Sequence, residues 1–544
     1  MKKRRLAMIL AAATTAASVA GCVPKASTST TAAAEVSEEA SEVSFNKEGL
    51  PITSKPVNYK MAGISVRNKN YKELEYFQNL EKETNVIIEW SMAASEAWSE
   101  KKSLLFAGSE LPDAFYGQGV LTDTDIIKYG SQGILIPLND LIDEYAPNLK
   151  AVLDANPDYR KQITAPDGNI YALPTINEMN PTTYDKLFIN KNWLDQLGME
   201  VPETTEEFET VLQAFKDNDM NGNGNASDEI PFTFRYNSND PYNRQQGIQS
   251  MFGTFGQLDD IYHFVVEDGK VVYTPTQDGY RDAMNWFGSL YQKGLIDKEV
   301  FTHDANVYAS KIQNPEKLVG AFMGWSGNST AGPNKEDYVA MAPLKQEDGS
   351  QIWRTVNMDI MSRNAFAITN QAKNPEILIR WIDQSYEPET SLEICQGLLG
   401  RALEKTENGG YRQMKPKEGE LLDTMIHDYS PGNSGVFAVT QEMVDKLELN
   451  ENLQERKELD EFYSQYNVPL ENMYPNVFFT EDEIEEISIL QTDIDAYVLK
   501  MYAQWIVEGG VDDWEGFQKQ LKKMNVDRYV ELYQSAYDRY IAAD

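Results

Sequence analysis

The chain has 544 residues, with 49 Lys and Arg against 85 Asp and Glu and a formal net charge of -36 at pH 7. That balance argues against nucleic acid as a partner, because phosphate binding needs clustered cations. Beyond the N-terminus no stretch approaches an uncharged apolar run of about eighteen residues, so nothing else is expected to span a membrane, and length alone allows two or three domains.

The N-terminus, MKKRRLAMILAAATTAASVAGC, sets four consecutive basic residues before an uncharged Ala/Thr-rich stretch from Leu6 to Gly21. The stretch is too short for a stable span, so residues 1–21 read as a secretory signal. Val19, Ala20, Gly21 and Cys22 resemble the lipobox of bacterial lipoproteins, in which the Cys becomes the lipidated first residue after cleavage. Removing 1–21 takes away four cations and no acid, so the mature chain is more acidic still. ASTSTTAAAEVSEEASEVS follows, without a hydrophobic period, and residues 22–55 are expected to form the lipidated Cys and a flexible tether. With Cys22 lipidated, Cys395 in LEICQG has no cysteine to pair with and reads as a buried small hydrophobe.

Strand-like and helical runs then alternate. VNYKMAGISV, NVIIEWSMA, PDAFYG and NIYALP read as strands, with NYKELEYFQNLEKET and ASEAWSEKKSLLFAG as helices between the first three. KLFIN, IPFTFRYN and LVGAFMGW continue the strands, and helices are expected at Lys191 to Leu197, Thr205 to Lys216 and Arg281 to Lys293. In NPEILIRWIDQSYEPE, Asn374 is expected to cap a helix with Pro375 at its first position. Beyond Thr440 the chain is mostly helical. The alternation predicts an α/β protein with largely parallel sheets, and the long helical close predicts that the chain crosses between lobes more than once.

The stretch DNDMNGNGNASDEIP, from Asp217 to Pro231, carries alternating oxygen ligands. Counting from Asp217 puts Asp219, Asn221, Gly222, Asn225 and Asp228 at positions three, five, six, nine and twelve of an EF-hand loop, with Asp where Glu usually closes it. Counting from Asp219 instead puts Asn221 and Asn223 at three and five and Gly224 at six, with Asp228 and Glu229 slightly early. Both registers suit a hard cation, and Asn and Gly also dominate ordinary turns. Upstream, Thr204 and Glu207 form a capping box on an amphipathic helix, whereas downstream lies a strand. Without a second helix to open, a calcium ion here is expected to be structural.

Taken together, GSELPDAFYG, DGNIYALP, LFINKNWLDQLGMEVPETTEEF leading into NGNG and DEIPF, GAFMGW, and VDRYVELYQSAYDRY resemble the large extracellular solute-binding lipoproteins of carbohydrate ABC transporters in Gram-positive bacteria, relatives of alginate-oligosaccharide and maltose-binding proteins. The resemblance covers nearly the whole mature chain. It implies a two-lobed periplasmic-binding-protein-like (type II) fold with discontinuous lobes, a multi-segment hinge and a helical C-terminal region. The first lobe would comprise residues 56–175 and 357–400, and the second 176–356 and 401–544, with the calcium loop at 217–229. Calcium would be held by Asp219, Asn221, Asn223, the Asn225 carbonyl, Asp228 and Glu229, although one extra residue precedes Asp228 here and leaves the Asp217 register open. The protein would be a monomeric, lipid-anchored component on the outer face of the cytoplasmic membrane, delivering an oligosaccharide to transmembrane permease subunits.

Sugar rings stack their C–H faces on aromatics, and the chain has 29 Tyr and nine Trp. Tyr116 ends a strand before glycine, where α/β folds bind ligands. Trp325 follows a strand into a Gly/Ser turn, and the matching stretch of maltose-binding relatives bears a stacking Trp. Arg235, suited to fork two hydroxyls or a uronate, and Tyr236 follow the strand after the calcium loop. Glu178 lies in PTINEMNPTTY, read as a hinge crossing, and Tyr184 and Trp353 are further candidates. With 85 carboxylates a glycosidase-like pair is found anywhere, and His263, His303 and His427 have no metal or nucleophile spacing. No enzyme is therefore expected; a secreted glycan-cleaving enzyme and a lipid-tethered glycan sensor or adhesion module are the alternatives.

Overall fold

In the computed structural model, residues 43–67, 69–108, 110–236, 247–417 and 421–543 are described. The signal, Cys22 and most of the tether lie outside them. The strands run β1 (Val57–Ile64), β2 (Val86–Ala93), β3 (Ala114–Tyr116), β4 (Leu173–Asn177), β5 (Lys186–Asn190), β6 (Ile230–Thr233), β7 (Phe264–Glu267) and β8 (Lys270–Tyr273). They continue as β9 (Val319–Gly324), β10 (Tyr338–Ala340), β11 (Ile360–Ile368), β12 (Leu403–Lys405), β13 (Tyr411–Gln413), β14 (Ala438–Val439) and β15 (Leu447–Glu448).

A six-stranded sheet in the order β14-β4-β11-β3-β1-β2 centres one lobe, and a four-stranded sheet in the order β10-β5-β9-β6 centres the other. Each carries its own apolar core. Met61, Tyr116, Phe366 and Trp381 belong to the first, and Leu187, Phe215, Phe232, Met323 and Trp505 to the second. The sheets are mixed, not largely parallel: β11 runs antiparallel to both β3 and β4, and β5 antiparallel to β9 and β10. Both exceptions follow a crossing between lobes, which brings the chain into the receiving sheet from the opposite side.

Other expectations shift in particular ways. The tether was read to residue 55, but Ile52 and Thr53 are buried, and Arg380 donates to the carbonyls of Asn46 and Gly49. One apolar side chain seated in the first core is enough to end the tether earlier. The first core also reaches past Gly400: Leu403, Tyr411, Val436, Ala438, Met443, Leu447 and Leu453 pack in it, and β14 pairs with β4. NIYALP is strand only from Leu173, continuing to Asn177. Asn374 adopts a left-handed backbone with φ 57° and does not cap its helix, although Pro375 does start it.

Three crossings lie side by side and form the hinge. Val356 donates its backbone N–H to the Thr182 carbonyl (2.8 Å), Asn177 to that of Asp359 (2.7 Å), and Trp353 to that of Tyr466 (2.8 Å). The third crossing is the helix Glu451–Ser464 with the segment that follows it. Buried backbone polar groups need partners, and here each crossing supplies its neighbours with them.

Candidate functional site

The register of β5 with β9 sets Lys186 opposite Gly324, so the residues just outside the paired strands, Tyr184 and Trp325, meet at one edge of the second lobe. Their rings stand edge to face, with centroids 4.6 Å apart, and both side chains are half-buried. Burial, then the neighbouring Asp185, raises the Tyr184 hydroxyl to about 12, while Arg235 and Arg354 pull the other way. Arg235 is therefore within electrostatic reach of this pair. Lys186 is fully buried, donates to the Thr183 carbonyl and holds its Nζ 5.1 Å from the centre of the Trp325 ring. A cation so placed is attracted to the ring quadrupole and stiffens the indole.

Buried polar groups hold this edge in place. Asp185 pairs with Arg354, whose Nε donates to Ser250 Oγ at 3.0 Å, and the Trp353 indole donates to the Asp185 carbonyl at 2.8 Å. At the end of β6, Asp297 accepts from Thr233 Oγ1 at 3.0 Å, and His303 Nε2 donates to the Phe234 carbonyl at 3.0 Å. The strand that leads into Arg235 is thus fixed from both sides.

On the first lobe, amides gather around a thiol. Asn177 Nδ2 and Gln396 Nε2 donate to Cys395 Sγ, and the thiol donates to Asn433 Oδ1. Gln118, two residues beyond Tyr116, donates to the Asn433 carbonyl. Burial pushes the Cys395 thiol up to about 12, so it acts as a neutral group. Amide groups and a partly exposed aromatic edge are what a polyhydroxylated ligand with an apolar ring face requires.

The other sequence candidates are distributed differently. Tyr116 is fully buried among Tyr71, Phe77 and Trp90, its hydroxyl accepting from Val436 N at 3.2 Å. Trp353 is buried against Tyr463, and Tyr236 is stacked on Tyr502 with centroids 5.1 Å apart. No ligand reaches these three rings without opening a core. Glu178 accepts from the Tyr159 hydroxyl at 2.7 Å and from Gln441 N, so both its oxygens are engaged. The sequence did not single out Gln118, Asn177, Gln396, Asn433 or Lys186, which the fold places in these two clusters. Gln118 was within reach, because it directly follows the strand-end FYG. A separate groove of about 550 Å³, lined by Pro157, Lys161, Phe478 and Tyr540 among others, contains none of these residues.

In the oxygen-rich loop, Asp217 ends its helix and accepts from Gln213 Nε2 at 2.8 Å, whereas Asp219 turns into the loop and accepts from the backbone of Asn223 (3.1 Å) and Gly224 (2.8 Å). Gly222 and Gly224 take φ of 73° and 88°, which glycine alone adopts without strain. Glu229 Oε1 accepts from Met220 N at 2.8 Å, but Glu229 Oε2 and Asp228 Oδ1 are buried without a hydrogen-bond partner. Two buried acidic oxygens without a hydrogen-bond partner, in a loop that also carries Asp and Asn side-chain oxygens, fit a hard cation. Among the described residues no three His, Cys, Asp or Glu converge on a metal position, so part of any ligand set must come from amide and backbone oxygens.

The chain belongs to the bacterial extracellular solute-binding protein family, whose model matches residues 67–390. Among its relatives, the fructooligosaccharide ABC transporter substrate-binding protein FusA of Streptococcus pneumoniae serotype 4 is 33% identical over 523 residues, covering 92% of this chain and 94% of that one. The structure of FusA in complex with kestose superposes with a TM-score of 0.77 at 32% identity over 90% of this chain and all of the other, and an EF-hand mutant of FusA has been solved with fructo-nystose. A solute-binding protein of Bifidobacterium longum subsp. infantis shares the fold, with a TM-score of 0.80 at 24% identity, over 89% of this chain and 98% of that one. The two-lobed α/β fold is that of type II solute-binding proteins, and no helix among the described residues is long and apolar enough to cross a membrane.

Proposed function

We propose that this protein is the lipid-anchored, substrate-binding component of an ABC importer and captures a neutral oligosaccharide of the fructooligosaccharide class between its lobes. The observation that carries the reading is the Tyr184–Trp325 pair, half-buried at the edge of the second lobe and backed by the Lys186 ammonium. Full-length similarity to a fructooligosaccharide-binding relative supports the ligand class. Trp325 supplies the stacking plane, Tyr184 and Arg235 the adjoining polar groups, and the amides of Gln118 and Asn433 the hydroxyl partners from the first lobe, with Asn177 and Gln396 buried behind them around Cys395. Ligand touching both lobes favours whichever state lets both touch at once, so binding closes the cleft.

The oxygen-rich loop is read as a structural calcium site formed by Asp219, Asn221, Asn223, the Asn225 carbonyl, Asp228 and Glu229. The buried, unpartnered oxygens of Asp228 and Glu229 support it, as does the EF-hand of the relative. When bound, the cation would neutralise these carboxylates and brace the turn into β6. Cys22 is read as the lipid attachment point and the protein as a monomer working with permease subunits.

Titration calorimetry with kestose in calcium buffer tests the function. Saturable binding of kestose or a longer fructan is expected. Tight binding of a peptide or amino acid, with no oligosaccharide bound, contradicts it.

A further inference from the structure

The helix Glu451–Ser464 begins in one core and ends in the other. Leu453 packs in the first core, whereas the Tyr463 hydroxyl, in the second, accepts from Leu187 N at 3.0 Å and donates to the Met341 carbonyl at 2.7 Å. Between them, Asp460 accepts from the backbone of Thr182 (2.7 Å) and Thr183 (3.1 Å), the crossing segment that delivers Tyr184. Positions 453, 456, 460 and 463 recur at helical spacing on one face, so Arg456 shares the face that both lobes grip.

The Arg456 guanidinium lies 5.8 Å from the centre of the Trp325 ring. It is half-buried, and among the described residues its single hydrogen bond is a long one, from Nε to the Asn452 carbonyl at 3.4 Å. The adjacent Glu455 is spent on Asn328, whose N–H lies 3.1 and 3.0 Å from its two carboxylate oxygens. No carboxylate among the described residues forms an ion pair with Arg456, although the chain carries 85 acids against 49 bases. Its charge is felt both by Cys395 of the first lobe and by Lys186 of the second. A planar fork with five donors, partly withdrawn from water and with no acceptor for its Nη groups among the described residues, matches adjacent hydroxyl oxygens.

Resting on the functional reading above, we propose that Arg456 grips the hydroxyls of the oligosaccharide stacked on Trp325, and that its helix, rooted in both cores, ties this grip to the hinge. Binding of a panel of neutral oligosaccharides, kestose first, is measured by calorimetry for wild type, Arg456→Gln, Arg456→Lys and Trp325→Ala, alongside melting without ligand. Hydrogen bonds from a charged donor support an expected loss of about tenfold to a hundredfold for Arg456→Gln. Arg456→Lys should recover part of it, because an ammonium keeps the charge but not the fork. Unligated melting should be unchanged in both. Wild-type affinity in Arg456→Gln, with Trp325→Ala weakened, overturns the role of Arg456 alone. Equal losses in the Lys and Gln variants, together with a lowered unligated melt, overturn it in favour of a packing role. A wild-type chain that binds nothing in the panel overturns the functional reading itself.

Discussion

Trp325 gains its place from three neighbours at once: the Tyr184 edge, the Lys186 ammonium and the Arg456 guanidinium all meet the indole. A half-buried aromatic anchor costs about 2 kcal/mol when truncated, or roughly thirtyfold in Kd. Trp325→Ala should therefore weaken kestose binding by that order in a calorimetric titration while leaving the unligated melt nearly intact; full affinity in the variant removes the ring from the site. Lys186 has its own signature. Burial, opposed by Asp460 and Asp185, lowers its pKa from 10.5 to about 8. Between those values the unfolded lysine holds a proton that the folded one has released, so stability rises with pH across that window and the cost of the buried ammonium is felt in full below about 8. The melting temperature of wild type should thus climb relative to Lys186→Met from pH 8 toward 10.5, and a constant difference would mean that the ammonium is solvated. Tyr184 and Trp325 were legible because each sits beside a readable strand. Tyr116, Tyr236 and Trp353 looked equivalent in sequence, and only tertiary packing separates a ring in a core from one at an edge. Arg456 left no signal, since in ENLQERKELDEFYS it reads as one more charge on a solvated helix.

The loop from Asp217 to Glu229 was visible as a pattern of oxygens, yet its register was not, because two overlapping counts satisfy the same spacing. A helix that continues through Asp217 ties that carboxylate to Gln213, whereas Asp219 lies in the loop and accepts from its backbone, which favours the Asp219 register in the proposed site. Metal bound only by the native state adds about 2.7 kcal/mol at a hundred times Kd. Excess chelator should lower the wild-type melting temperature, Asp219→Ala should melt at the chelated value with or without calcium, and Asp217→Ala should keep its calcium dependence. A melt indifferent to chelator, from protein that purifies without metal, contradicts the site. At the hinge, Asp460 accepts from the Thr182 backbone and hydroxyl and from Thr183 N, so Asp460→Ala leaves several donors without their charged acceptor. A loss of about 1 to 3 kcal/mol is expected in denaturant unfolding, and an unaltered midpoint would show that water replaces the carboxylate. Helices were the most readable elements. The capping box at Thr204 and the helix Lys191–Leu197 fall where their signals lie. Strand direction was not readable, because β5 and β11 owe theirs to crossings that no local pattern encodes.

Across the whole chain, two cores are joined by three adjacent crossings, and an opening or closing of the lobes would have to be taken up by them. Anchoring at Cys22 would keep the protein at the cell surface. One acyl chain binds a membrane only marginally, so a lipoprotein needs its two or three chains. Cys22→Ala should release the protein from the membrane fraction into the medium, and undiminished retention would contradict the anchor. The α/β class was foreseeable from the alternation of strands and helices, and the two lobes from the family resemblance, but the extents of the lobes were not: the hairpin of β12 with β13 and strand β14 stay in the first core after Gly400, with β14 adding to the open edge of its sheet beside β4. An oligosaccharide held by both lobes at once would draw them together. Small-angle X-ray scattering of the wild-type protein in calcium buffer, with and without saturating kestose, addresses this most directly. A smaller radius of gyration with kestose, unchanged by peptides or amino acids, is the predicted result; kestose that binds in the calorimeter yet leaves the radius unaltered, or a peptide that contracts it instead, would contradict the account.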